Sequence, residues 1–201
     1  NNNTITVTSA SNTGYPIYLL TNAENNTINN NTITTPANRY GIFISSSANN
    51  TLTNNNVNSS RSQSYVILGT TVAHFNQSID LSNLAEGLPV NFTFNGQNIN
   101  ISNNNSFGQV ICGWCNNVTY NNITINEGDG INLFYTSNST IVNSTINTSK
   151  GYGIYVYQMA VNNTFSNNNI NTTGTNGYGI YLFTDVNWTS ITNNVINTTG
   201  T

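Results

Sequence analysis

Residues 152–174 read YGIYVYQMAVNNTFSNNNINTTG, and at Tyr178 the chain begins the same phrase again as YGIYLF. Ile154 and Val156 flank Tyr155 in the first copy, as Ile180 and Leu182 flank Tyr181 in the second. A period of two belongs to an extended strand, whose successive side chains point to opposite faces. The second half, FSNNNI from Phe165, has the form apolar–x–Asn–x–x–Ile/Val. Its asparagine, threonine and β-branched residues disfavour helix.

Both phrases recur along the chain. The first returns as YGIFI from Tyr40 and, more loosely, as YPIYL from Tyr15, FGQVI from Phe107 and DGINL from Asp129. The second returns as INNNTI from Ile28, LTNNNV from Leu52, IVNSTI from Ile141 and ITNNVI from Ile191. Successive copies lie about 23 to 26 residues apart, a solenoid spacing. A repeat made only of short strands and turns predicts an all-β chain wound as a parallel β-helix. Each copy is one coil, and like strands stack at about 4.8 Å. A single coil cannot bury its apolar face, so stacking makes the core. The expectation is one such domain over residues 1–201, with an irregular longer coil or loop at about 64–106, where the periodicity fails.

Stacking sets equivalent residues above one another. Asn30, Asn54, Asn143, Asn167 and Asn193 then form a column between two apolar positions of each coil, expected to point inward as an amide ladder. Simple turn propensity with outward side chains is the alternative. About 18 Asn-x-Ser/Thr acceptor sites are present, each a glycan acceptor in a secreted protein. One column precedes the second phrase: Asn25, Asn49, Asn138 and Asn162, with Asn187 one place off. Another follows it: Asn58, Asn147, Asn171 and Asn197. Both are expected at turns, where sugars project freely. Asn30 and Asn143 also sit in acceptor sites but are expected to stay bare as ladder members.

Composition bounds the function. Only 4% of residues are charged and the net charge is -3, against a usual charged share of about 25%. That excludes a basic nucleic-acid footprint. Aromatic residues make up 10% of the chain, unlike disordered sequences. No apolar run nears the roughly 20 residues that span a bilayer. The acceptor sites point to an extracellular or cell-surface setting. Cys112 and Cys115, in CGWC, are expected as a short-loop disulfide there, with free thiols or a metal or redox pair as alternatives. Tyr18, Phe43, Tyr155 and Tyr181 fall between inward apolar residues and should line one outer face. They serve either cross-coil stacking or an interface or carbohydrate platform.

Catalytic and metal chemistry is sparse. Six carboxylates are present: Glu24, Asp80, Glu86, Glu127, Asp129 and Asp185. Glu127 and Asp129 could share a face, as a glycoside hydrolase pair would, but a plain turn is the simpler reading. Arg39, Arg61 and Lys150 fall in no recognisable acid–base group, and His74 is the sole histidine. No catalytic residue, cofactor or metal site is expected.

The stretches SIDLSNLAEGLPVNF (78–92) and FGQVICGWCNNVTYNNITI (107–125) carry a resemblance. Asn83, Gly87, Pro89 and Val90 match an Asn-x-x-x-Gly-x-Pro-Val segment, and Asn117, Thr119 and Asn122 a coil end, one place short of its register. These resemble right-handed parallel β-helix proteins of the NosD-like class, found in archaeal cell-surface and extracellular proteins. The resemblance implies a right-handed β-helix. That class holds surface-layer proteins, a copper-site maturation factor and polysaccharide-active enzymes. A copper role needs several soft or imidazole ligands, so it does not carry over. Neither end shows an evident cap, and uncapped coils invite pairing with a neighbour. The expected function is a structural, N-glycosylated solenoid that self-associates head to tail into a filament, layer or stalk. A carbohydrate-binding or polysaccharide-cleaving β-helix is the alternative.

Overall fold

The computed structural model describes residues 2–8, 14–35, 39–60, 62–104, 106–174 and 177–199. Its strands, numbered in chain order, form two three-sided stacks. In the first stack one side holds β2 (Ile17–Leu20), β5 (Ile42–Ser45) and β8 (Tyr65–Leu68). A second side holds β3 (Thr27–Asn29), β6 (Thr51–Thr53) and β9 (Ser78–Ile79). The third holds β1 (Thr4–Thr6), β4 (Thr32–Thr35), β7 (Asn56–Ser59) and β10 (Leu84–Ala85).

The second stack repeats this plan. One side holds β11 (Leu88–Phe94), β13 (Gln109–Gly113), β16 (Ile131–Phe134), β19 (Tyr152–Tyr157) and β22 (Tyr178–Phe183). The next holds β12 (Asn100–Ser102), β14 (Thr119–Asn121), β17 (Thr140–Val142), β20 (Thr164–Ser166) and β23 (Ser190–Thr192). The last holds β15 (Thr124–Ile125), β18 (Thr145–Thr148), β21 (Asn169–Thr172) and β24 (Val195–Thr198). The expected all-β parallel solenoid is therefore present. Coil length varies more than the sequence spacing suggests, from 19 residues (Asn100 pairs with Thr119) to 28 (Thr4 pairs with Thr32). Strand register is kept while the turns absorb the difference.

The stretch expected to be irregular is more regular than its sequence. β8 stays in register with β5, β9 with β6 and β10 with β7. A short 3-10 helix (Val72–Phe75) lies between β8 and β9. The true break is a hairpin. β10 and β11 pair antiparallel, Leu84 with Pro89 and Ala85 with Leu88. Glu86 and Gly87 between them both take positive φ, 56° and 79°, as a two-residue hairpin turn requires. Every other strand pairing among the described residues is parallel. The hairpin joins the third side of the first stack to the first side of the second as one nine-stranded sheet.

Two cores result. Val110, Cys112, Ile131, Leu133, Ile154, Val156, Phe165 and Ile170 fill the second stack. The first is filled by Ile33, Ile42, Ile44, Leu52, Val57, Tyr65 and Ile67. Ile111 and Phe134 belong to this other core. They alternate with Val110, Cys112 and Leu133, so they project from the opposite face of β13 and β16. The outer wall of the second stack therefore covers the first. Gly153, the glycine of the opening phrase, has a packing reason: a Cβ there would lie 2.4 Å from Ile170 Cγ2. A larger residue would push the side it faces outward.

Candidate functional site

The corners of the coils decide which asparagines turn inward. Asn30, Asn54, Asn143, Asn167 and Asn193 have φ of 53° to 56° and are exposed. The expected inward ladder is thus displaced by one residue. A left-handed residue breaks the strand alternation, and the residue after it points into the core. Asn31, Asn55 and Asn83 form the buried ladder of the first stack: Asn31 Nδ2 donates to Asn55 Oδ1, and Asn55 Nδ2 to Asn83 Oδ1, each at 2.9 Å. In the second stack Ser144, Asn168 and Asn194 take this place. Each amide also serves backbone groups. Asn168 Oδ1 accepts the Ser144 N–H at 3.0 Å, and its Nδ2 donates to the Ile141 carbonyl at 2.9 Å. The other corner repeats the device: Ser139 N–H donates to Asn163 Oδ1 at 3.0 Å.

The acceptor-site columns lie outside. Asn25, Asn49, Asn138 and Asn162 are exposed left-handed corner residues. Asn187 is exposed beside them, paired with Val161 while Trp188 takes the positive φ. Asn58, Asn147, Asn171 and Asn197 are not at turns; they face outward from β7, β18, β21 and β24, with Asn147, Asn171 and Asn197 in register. Asn58, Asn147 and Asn171 are half-buried and Asn197 exposed. An outer amide chain runs along the corner, Asn162 Nδ2 donating to Asn138 Oδ1 and Asn138 Nδ2 to Asn116 Oδ1. Asn30 and Asn143 are as exposed as their neighbours, so the reason for expecting them to stay bare is gone.

Cys112 and Cys115 are joined by a disulfide, Cα–Cα 6.0 Å, inside the second core. The aromatic residues form two columns. Tyr18 stacks on Phe43 in the first stack at 4.9 Å, and Tyr155 on Tyr181 in the second at 5.5 Å. Tyr152 and Tyr178 join the latter. The two columns approach at Tyr40, whose hydroxyl is pushed up to about 12 by burial and by nearby Tyr152 and Tyr15. Rings laid face to face cover one another's faces, leaving mainly edges to a partner.

The chemistry of this molecule gathers where the stacks meet. A groove of about 950 Å³ is lined by Glu86, Leu88, Glu127, Asn147, Lys150 and Asn171 among others. Glu127 is exposed there, whereas Asp129 is fully buried, so the two do not form a pair on one face. Asp129 Oδ2 accepts the Ser64 N–H, while Oδ1 has no partner. Lys150, which the sequence left without a group, pairs with Glu86 and is 4% exposed. Glu86 Oε1 also accepts the Ser59 N–H at 2.7 Å and lies 3.4 Å from the Ser64 hydroxyl. Two residues of the first stack, two of the second and the hairpin thus share one charged cluster. Arg61 lies outside the described residues. Arg39 is buried and donates to the Gly14 carbonyl. His74 Nδ1, in the 3-10 helix, accepts the N–H of Thr70 just before it. Among the described residues no three His, Cys, Asp or Glu side chains gather as a metal set, and no helix is long and apolar enough to cross a membrane.

Burial raises Asp129 from 3.8 to about 7, against the lowering effect of Lys150 and Ser64; Glu86 adds to the rise. The folded protein therefore holds a proton that the unfolded chain releases near pH 4. This contribution to stability is full below about pH 4 and is lost as pH rises through about 7. Urea unfolding from pH 4 to 8 should show stability falling across that window, and Asp129→Asn should flatten it. An unchanged slope in the variant would remove Asp129 as the cause.

Residues 90–200 match the family model described as "Right handed beta helix region". No curated protein and no solved structure gives a match to the chain.

Proposed function

Because this chain belongs to the right-handed β-helix family, we propose that it is a structural extracellular protein, an N-glycosylated solenoid that adds coil to coil in a filament, surface layer or stalk. One observation carries the assembly. In the coil of β22, β23 and β24, the inward positions Leu182, Ile191 and Ile196 are 39%, 43% and 44% exposed. Their register partners one coil earlier, Val156, Phe165 and Ile170, are all 0% exposed. Each coil buries its apolar positions only under a neighbour, so this face fits one more coil of the same kind. A further coil in the same register, from the same chain or from a second copy, would cover these positions; where a second copy supplies it, a head-to-tail contact that does not close makes a fibre. The acceptor-site columns on the outer corners and strands support a glycosylated exterior. The NosD-like resemblance supports an archaeal surface setting.

Negative-stain microscopy and sedimentation test this reading. The native chain should form end-to-end fibres or concentration-dependent oligomers, and Ile191→Asp with Ile196→Asp should leave single rods. Native chains that stay single at high concentration would end it. A carbohydrate-binding or polysaccharide-cleaving role is the second reading, favoured by the groove with its acidic and amide lining. Binding or cleavage of a polysaccharide, lost with Glu127→Gln, would support that instead.

A further inference from the structure

The cluster between the stacks has features that an ordinary ion pair does not need. Lys150 is the only lysine of the chain, and its side chain is 5% exposed while that of Glu86 is 22% exposed. Asp129 shares Ser64 with Glu86, its Oδ2 accepting the Ser64 N–H while the Ser64 hydroxyl faces Glu86 Oε1, and it is fully buried with Oδ1 unpartnered. With Asp129 and the Lys150 ammonium almost wholly withdrawn from water, two carboxylates and one ammonium are a costly arrangement, because desolvation of buried charges outweighs much of their attraction. Converting the pair to a neutral amide removes that cost. The carbonyl end is already prepared: Glu86 Oε1 accepts the Ser59 N–H and lies near the Ser64 hydroxyl, the placement of donors that stabilises an oxyanion.

We propose that Lys150 and Glu86 condense into an amide, a self-formed Nζ–Cδ cross-link that ties the second stack to the hairpin, with Asp129 as the proton relay. The Lys150 ammonium meets the carboxylate at Oε1 and gives up one proton, which the carboxyl group carries on Oε2, leaving a neutral amine and a carboxylic acid. The Nζ lone pair attacks Cδ, and the Oε1 oxyanion is held by Ser59 and Ser64. Asp129 protonates the departing Oε2 hydroxyl and takes a proton from the nitrogen, so it ends as it began. The C–N bond forms, the C–Oε2 bond breaks, and one water leaves. Three hydrogens of the ammonium are accounted for, one on the amide and two in water, and no oxidant or co-reactant is required. Low dielectric favours the neutral starting pair, and fixed neighbours replace an activating group by proximity.

This inference does not depend on the assembly reading, and its test is chemical. Protein made in a host without N-glycosylation is digested under denaturing conditions and its peptides are weighed. The expected result is a branched peptide joining the Glu86 and Lys150 segments, one water lighter than their sum. Lys150 should also resist acylation in the denatured protein. Lys150→Arg and Glu86→Ala should each lose the branched peptide. Asp129→Ala keeps both reacting groups and should lower the linked fraction at least tenfold. Wild-type protein yielding two separate peptides and an acylated Lys150 overturns the cross-link whatever the variants do. Full linkage in Asp129→Ala overturns the relay.

Discussion

Asn168→Ala should destabilise the fold by about 4 kcal/mol, while Asn167→Ala next to it should cost about 1 kcal/mol. The first substitution leaves the buried Ser144 N–H without its partner at 3.0 Å and takes from the Ile141 carbonyl the amide donor at 2.9 Å that it receives beside its strand ladder. Such an orphan costs about 1 to 3 kcal/mol. It also strips Asn194 Oδ1 of the Nδ2 donor at 3.0 Å. Asn167 is exposed at φ 56°, so alanine there loses only the ease with which asparagine adopts a left-handed backbone. Asn167→Gly should be close to neutral, since glycine has no Cβ to strain. Equilibrium unfolding in guanidinium checks the pair. Equal losses at the two positions would mean that the amide facing the core has been assigned to the wrong residue.

Phe75→Ala should cost about 4 kcal/mol, with the loss falling first on the first stack. Phe75 sits at the end of the 3-10 segment, 0% exposed, with its ring 5.8 Å from Phe134 and 5.8 Å from Tyr135. Those two rings belong to the second stack, and Phe75 to the first. Truncation leaves a cavity where neither wall can collapse, because each is a hydrogen-bonded sheet. Val72→Ala in the same segment should change stability by less than about 0.5 kcal/mol, as its side chain is exposed. Denaturant unfolding followed by hydrogen exchange distinguishes local loosening of residues 14–85 from global loss. An equal, small effect of both changes would show that this contact does not couple the stacks.

Much of this was legible in order along the chain. Alternation around Tyr155 and Tyr181 declared strands, and their 26-residue repeat (178 less 152) appears as the pairing of Tyr155 with Tyr181. The asparagine columns were legible as columns, but their direction was not. Pattern alone does not reveal that Asn167 has positive φ, and one left-handed residue exchanges inside for outside. How Asp129 titrates was not legible either, because a carboxylate's behaviour is set by what surrounds it, and here burial raises it to about 7.

The sequence by itself determined the coil: short-range alternation, turn-forming amides and identical layers leave a chain of this kind one economical way to bury its isoleucines. Only the tertiary structure decided that there are two stacks, that the Glu86–Gly87 turn reverses the chain between them, and that Ile111 and Phe134 serve the other core. It alone brought Lys150 to Glu86 across 64 positions (150 less 86) and shut Asp129 beside them. Repetition specifies contacts between like residues. Where two stacks meet, unlike residues touch, and the path of the backbone chooses which.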